Sequence, residues 1–168
     1  MNDEGLMLKD IIRVSRHYQR SIRVDADLGR HDALTGFICH STAASVLDSM
    51  SKQVTETNQR SFTWTGPFGG GKSSLAVALA SALHPEKALR AKARTVLNLD
   101  RSASFDRAFQ TRKGWLIVPV VGKRGSVVSE LNAALRKAKG KGSDNRKISP
   151  TVLINELVQT AEDRAHDC

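Results

Sequence analysis

Gly66-Pro67-Phe68-Gly69-Gly70-Gly71-Lys72-Ser73 is the stretch on which the reading of this chain turns. Its spacing is G-x-x-x-x-G-K-[ST], and each part of that pattern answers one feature of a triphosphate. Glycines let successive backbone N–H groups turn inward and form a concave nest for phosphate oxygens. Lys72 supplies a point positive charge for the β- and γ-phosphates, and the Ser73 hydroxyl is a ligand for Mg²⁺. A helix beginning near Lys72 aims the positive end of its dipole at the same anion.

The flanks agree with such a loop. Upstream, Ser61-Phe62-Thr63-Trp64-Thr65 is a β-branched and aromatic run that suits a buried strand. Downstream, Leu75, Ala76, Val77, Ala78, Leu79, Ala80, Ala82 and Leu83 make residues 73–83 a helix that is apolar on nearly every side. His84-Pro85 ends it. Strand, glycine loop and buried helix is the context the pattern needs.

Further out, residues 6–20 carry apolar positions at the spacing of an amphipathic helix, and residues 21–25 alternate like a short extended piece. Residues 41–50 read as a helix capped by Ser41 or Thr42, followed by a polar loop over 51–60. Residues 86–97 and 102–109 read as two more helices. Trp115-Leu116-Ile117-Val118-Pro119-Val120-Val121 is a continuous apolar run of strand length, as in a strand covered on both faces. Pro119 places it at an edge or a bulge, because proline cannot donate to a neighbouring strand. After a turn at residues 122–125, residues 126–139 form a helix with Val127, Val128, Leu131, Ala134 and Leu135 facing inward. Ser149-Pro150 starts a last helix with a stripe of Val152, Leu153, Leu157 and Val158. Alternating strands and helices predict an α/β fold, with an incomplete parallel sheet flanked by helices. Residues 1–60 are its lead-in and residues 61–168 its nucleotide-binding core.

The 168 residues suffice for one domain with a real core. No apolar stretch is long enough to cross a membrane, and the polar, acidic start is no secretory signal. Two cysteines, Cys39 and Cys168, make no disulfide framework, which predicts a reducing cytoplasm. With 26 Lys and Arg against 17 Asp and Glu, the net charge is +9, which suits nucleic acid as a partner. The densest basic run, Arg136 to Lys147, holds no aromatic residue for base stacking, so it reads as a solvated loop.

Hydrolysis of a bound triphosphate calls for an acid at the end of an apolar strand. The run 115–121 ends in Gly122-Lys123-Arg124, the wrong charge for a metal. Asp100, after Thr95-Val96-Leu97-Asn98-Leu99, is the other candidate, and a surface helix terminus is its alternative role. The missing acidic strand would come one unit further on, so the chain reads as the front part of a larger ATPase, completed by further sequence or by a partner subunit. Cys39-His40 lacks metal-ligand spacing and reads as a core cysteine beside a surface histidine. Trp64 and Trp115 read as core.

Residues Thr65 to Leu75 resemble the Walker A loop of AAA+-like and related P-loop ATPases. The likeness is to large bacterial multidomain ATPases, among them some associated with phage defence, whose loops read T-G-P-[YF]-G-x-G-K-S. The block from Arg20 to Met50, with Gly36-Phe37-Ile38 and a short helix, is similar to their lead-in, which packs over the nucleotide and helps enclose the base. The resemblance implies ATP with Mg²⁺, held by Gly66, Pro67, Phe68, Gly69, Gly70, Gly71, Lys72, Ser73 and Ser74, with Ser73 on the metal. Two other functions suit the same residues. One is a small-molecule kinase with the basic loop as its lid, and the other is a nucleic-acid-binding fragment driven by the charge.

Overall fold

The computed structural model describes residues 22–109, 112–142 and 148–166. Among them run seven α-helices and one 3-10 turn: α1 (Val24–Asp27), the turn His31–Leu34, α2 (Ser41–Thr57), α3 (Lys72–Ala82), α4 (Lys87–Val96), α5 (Ala103–Ala108), α6 (Val127–Ala138) and α7 (Pro150–His166). The described residues contain no β-strand.

That overturns the α/β expectation and, with it, the resemblance to P-loop ATPases of the AAA+ and phage-defence kind, whose fold is a parallel sheet. The physical reason lies in the two apolar runs. A strand exists only when a neighbour supplies the other half of its hydrogen bonds, and an isolated pair is marginal in water. Residues 61–65 and 115–121 are the two runs of strand character, and neither is laddered. The Trp115 amide donates to the Leu83 carbonyl at 2.7 Å, and no backbone ladder follows it among the described residues. Pro119 has no N–H to continue one. Both runs still pack: Phe62, Trp64 and Ile117 lie half-buried against the core.

Helices bury the core instead. In α2 the buried positions Leu47, Met50, Ser51 and Val54 fall at i, i+3, i+4 and i+7, one face of a helix. This face meets α5, whose Phe105 is fully buried and stacks on Phe109 with ring centroids 4.9 Å apart. Helix α3 lies on α4, where Leu89 and Ala93 are fully buried one turn apart. Leu34 of the 3-10 turn joins the same cluster. His31 Nε2 lies 2.8 Å from Glu86 Oε1, and Lys92 Nζ donates to the His31 carbonyl at 2.8 Å, fixing that turn to α4. Helices α6 and α7 pack on each other, and each buries a leucine, Leu135 and Leu153. Lys139 reaches across to the Thr160 hydroxyl at 3.0 Å and to Glu156 at 3.6 Å.

Several local expectations need correction. Helix α2 continues through residues 51–57, expected as a loop, because Val54 extends the apolar face and Thr55 and Thr57 return their hydroxyls to the Ser51 and Gln53 carbonyls. Asn58 ends the helix in the left-handed region at φ 57°. Its start has His40 at the cap position with no side-chain hydrogen bond, so neither Ser41 nor Thr42 caps it. Residues 24–27 are helical rather than extended. Val127, the first residue of α6, is 77% exposed rather than inward-facing. In α7 the inward positions are Leu153 and Thr160; Val152 and Val158 point outward. Trp115 is 41% exposed rather than core. Ser149 caps its helix as expected, accepting from the Val152 amide, and Ser126 and Ser102 also cap theirs, accepting from the Ser129 and Phe105 amides. The helix expected over 6–20 lies outside the described residues.

Candidate functional site

The glycine stretch forms a turned loop at the N-terminus of α3. Gly70 N–H donates to the Pro67 carbonyl at 3.3 Å, closing a four-residue turn. Its third residue, Gly69, sits at φ 75°, where a side chain would strain the backbone. Gly71 occupies the cap position of α3 at φ 76°, with no side-chain hydrogen bond onto the first turn. The leading N–H groups of an eleven-residue helix are thereby left without a cap. The first helical bond runs from Leu75 N to the Gly71 carbonyl at 2.9 Å.

Lys72 folds back over this loop. Its Nζ donates to the carbonyls of Gly66 at 2.9 Å and Pro67 at 2.7 Å, so the ammonium is held over the span of the loop rather than turned out to solvent. Gly66, Pro67, Gly70, Gly71 and Lys72 are brought together in this way. Phe68 stands fully exposed at the tip. Ser73 is exposed and Ser74 half-buried, and neither hydroxyl has a hydrogen-bond partner among the described residues. The chain carries no carboxylate between Glu56 and Glu86, so no acid near in sequence offsets the lysine or the helix end.

Beside the loop lies a cavity of about 580 Å³. Gly70, Gly71 and Lys72 form one wall; Phe37, Val46, Trp64 and Leu75 supply apolar surface; His40, Thr42, Thr63 and Thr65 supply polar groups. Reading the sequence for loops and core misses these polar members. His40 reads as a surface residue, while Thr63 and Thr65 read as part of a buried strand. Their signal is the alternation itself: Phe62 and Trp64 are half-buried while Ser61, Thr63 and Thr65 are exposed. Cys39, next to His40, turns away from the cavity lining; its Sγ lies 3.7 Å from the Leu97 carbonyl, and burial pushes its thiol pKa up.

Asp100 does not reach this place. It is exposed in the turn after α4 and accepts a hydrogen bond from the Thr95 hydroxyl at 3.2 Å, the surface-terminus role. Among the described residues no three His, Cys, Asp or Glu side chains cluster as metal ligands. No helix of the described residues is long and apolar enough to cross a membrane. Comparison of the chain with protein-family models, with curated proteins and with solved structures returned no match.

Proposed function

We propose that the chain binds a nucleoside triphosphate, with ATP as the reference ligand, through the loop 66–74 at the head of α3. The observation that carries this reading is the lysine folded back onto the loop that leads into an uncapped helix start. The Lys72 ammonium sits on the Gly66 and Pro67 carbonyls, bonds it can exchange for phosphate oxygens. The leading N–H groups of α3 and the positive end of its dipole add to the attraction for an anion. Gly69 and Gly71 have nothing within 4 Å of where a Cβ would stand, so no other part of the described chain crowds the loop at those two positions. The adjoining cavity, with Phe37 and Trp64 in its walls, has room for the remainder of a nucleotide.

The residues present fit Mg²⁺ accompanying the phosphates. The free Ser73 hydroxyl is a hard oxygen donor, and Mg²⁺ characteristically keeps several waters beside one or two protein ligands. When bound there, the ion neutralises phosphate charge. Among the described residues the cavity lining contains His40 but no carboxylate, so the reading stops at binding and assigns no residue to activating water.

Titration of the chain with a fluorescent ATP analogue in Mg²⁺ tests it. Lys72→Ala is expected to weaken binding at least about tenfold, the loss of one charge-assisted contact to phosphate, while the melting temperature stays put. Parent-like affinity in a folded Lys72→Ala variant refutes the assignment.

A further inference from the structure

A second cavity, of about 430 Å³, opens where the segment before the glycine loop meets the second apolar run. Val54, Phe62 and Phe109 form its apolar walls, Trp115 contributes a large ring, and Arg60 and Arg107 are its charged members. Among the described residues no carboxylate lines it. This combination of a partly exposed aromatic residue, two guanidinium groups and no acid among the described residues is absent from the cavity beside the glycine loop.

Trp115 is held ready for contact. Its ring rests on Phe109 with centroids 5.8 Å apart, and Phe109 in turn stacks on the fully buried Phe105. A flexible platform loses entropy when it binds; one braced by the core loses little. Arg107 is exposed and has no hydrogen bond or ion pair among the described residues. Arg60 commits Nη1 to the Val54 carbonyl at 3.1 Å, leaving other donors of its fork for a ligand. Arg112 and Lys113, two and three residues before Trp115, are exposed and likewise unpaired among the described residues.

We propose that this groove binds single-stranded nucleic acid, with one base against Trp115 and its flanking phosphates on Arg60 and Arg107. A cavity of this size accommodates one base with its sugar. Stacking on an aromatic ring with Arg nearby is how unpaired strands are held without regard to sequence. A duplex keeps its bases inside and has no ring to offer. An acidic polypeptide satisfies the arginines but leaves the exposed indole face without a flat partner. The net charge of +9 favours a polyanion over the whole surface, whereas Trp115 gives this groove a preference for one kind. The proposal stands apart from nucleotide binding at the glycine loop.

The test uses the full chain and a fluorescein-labelled twelve-nucleotide oligothymidylate, followed by anisotropy across a salt series. Affinity is expected to fall with salt. An oligonucleotide of the same length lacking its bases is expected to bind about tenfold more weakly than the thymidylate. Trp115→Ala is expected to lose about tenfold, with Trp115→Phe retaining most of the affinity. Arg107→Gln is expected to weaken binding and flatten the log–log salt slope by about 0.7. Circular dichroism checks that the variants fold, and the abasic comparison needs no variant at all. Equal affinity for the abasic and thymidylate strands overturns the proposal, as does displacement of the thymidylate by poly-glutamate at equal charge concentration. Absence of binding at low salt overturns it too.

Discussion

The helical layers α2–α5 and α3–α4 and the two apolar segments 61–65 and 115–121 are similar in hydrophobicity and opposite in fate. Leu89, Ala93 and Phe105 have no exposed surface at all, while Trp115, Val120 and Val121 each keep more than 40% of theirs. A helix pairs its own backbone four residues away and needs a neighbour only for its apolar face. A strand needs a neighbour for its backbone as well. Where no such neighbour is present, an apolar run settles against the core with one side and leaves the rest in solvent. Hydrophobic composition therefore says how strongly a segment seeks burial, and hydrogen-bond supply decides the form it takes.

Three substitutions probe this contrast. Phe105→Ala removes the fully buried ring that joins α5 to α2, and is expected to cost about 3–5 kcal/mol of unfolding free energy in urea. A loss below roughly 1 kcal/mol would erase the distinction between core and periphery. Gly114→Ala acts at the seam between the two regions. Gly114 has φ 83°, and an added Cβ would stand 2.4 Å from Pro85 Cα and 2.7 Å from the His84 carbonyl oxygen. Neither backbone contact yields easily, so a cost of about 2–4 kcal/mol is expected, together with increased Trp115 solvent exposure by fluorescence. A fully stable alanine variant would mean that the second segment is not pinned to the end of α3. Ser81→Ala has the smallest effect and the opposite sign. The Ser81 hydroxyl is buried with no hydrogen-bond partner among the described residues, so alanine is expected to raise stability by about 1 kcal/mol, read as a higher melting temperature. Destabilisation there would reveal a partner for that hydroxyl.

The helices from residue 72 onward were legible in the sequence because their signals are local, whereas α1 and the second half of α2 were not. Ser102, Ser126 and Ser149 announce three helix starts within a few residues. The spacing of Leu89 and Ala93 announces the buried face of α4. The glycine loop was legible for the same reason: Gly69, Gly71 and Lys72 lie within four residues of one another. The absence of a sheet was not, since whether residues 61–65 and 115–121 find ladder partners depends on contacts fifty residues apart. The polar wall of the larger cavity was equally hidden. His40 and Thr63 come from different segments, and nothing in either segment tells that they line one space. The same holds for Arg60 and Trp115, which no linear pattern connects.

Helix α3 has the glycine loop at one end, and just past its other end Leu83 holds the Trp115 amide. Its eleven residues make a rod about 16 Å long, with neither glycine nor proline to let it bend. Pro85, crowding Gly114, clamps the far end. Two segments more than forty residues apart in sequence are thereby tied to opposite ends of one straight helix.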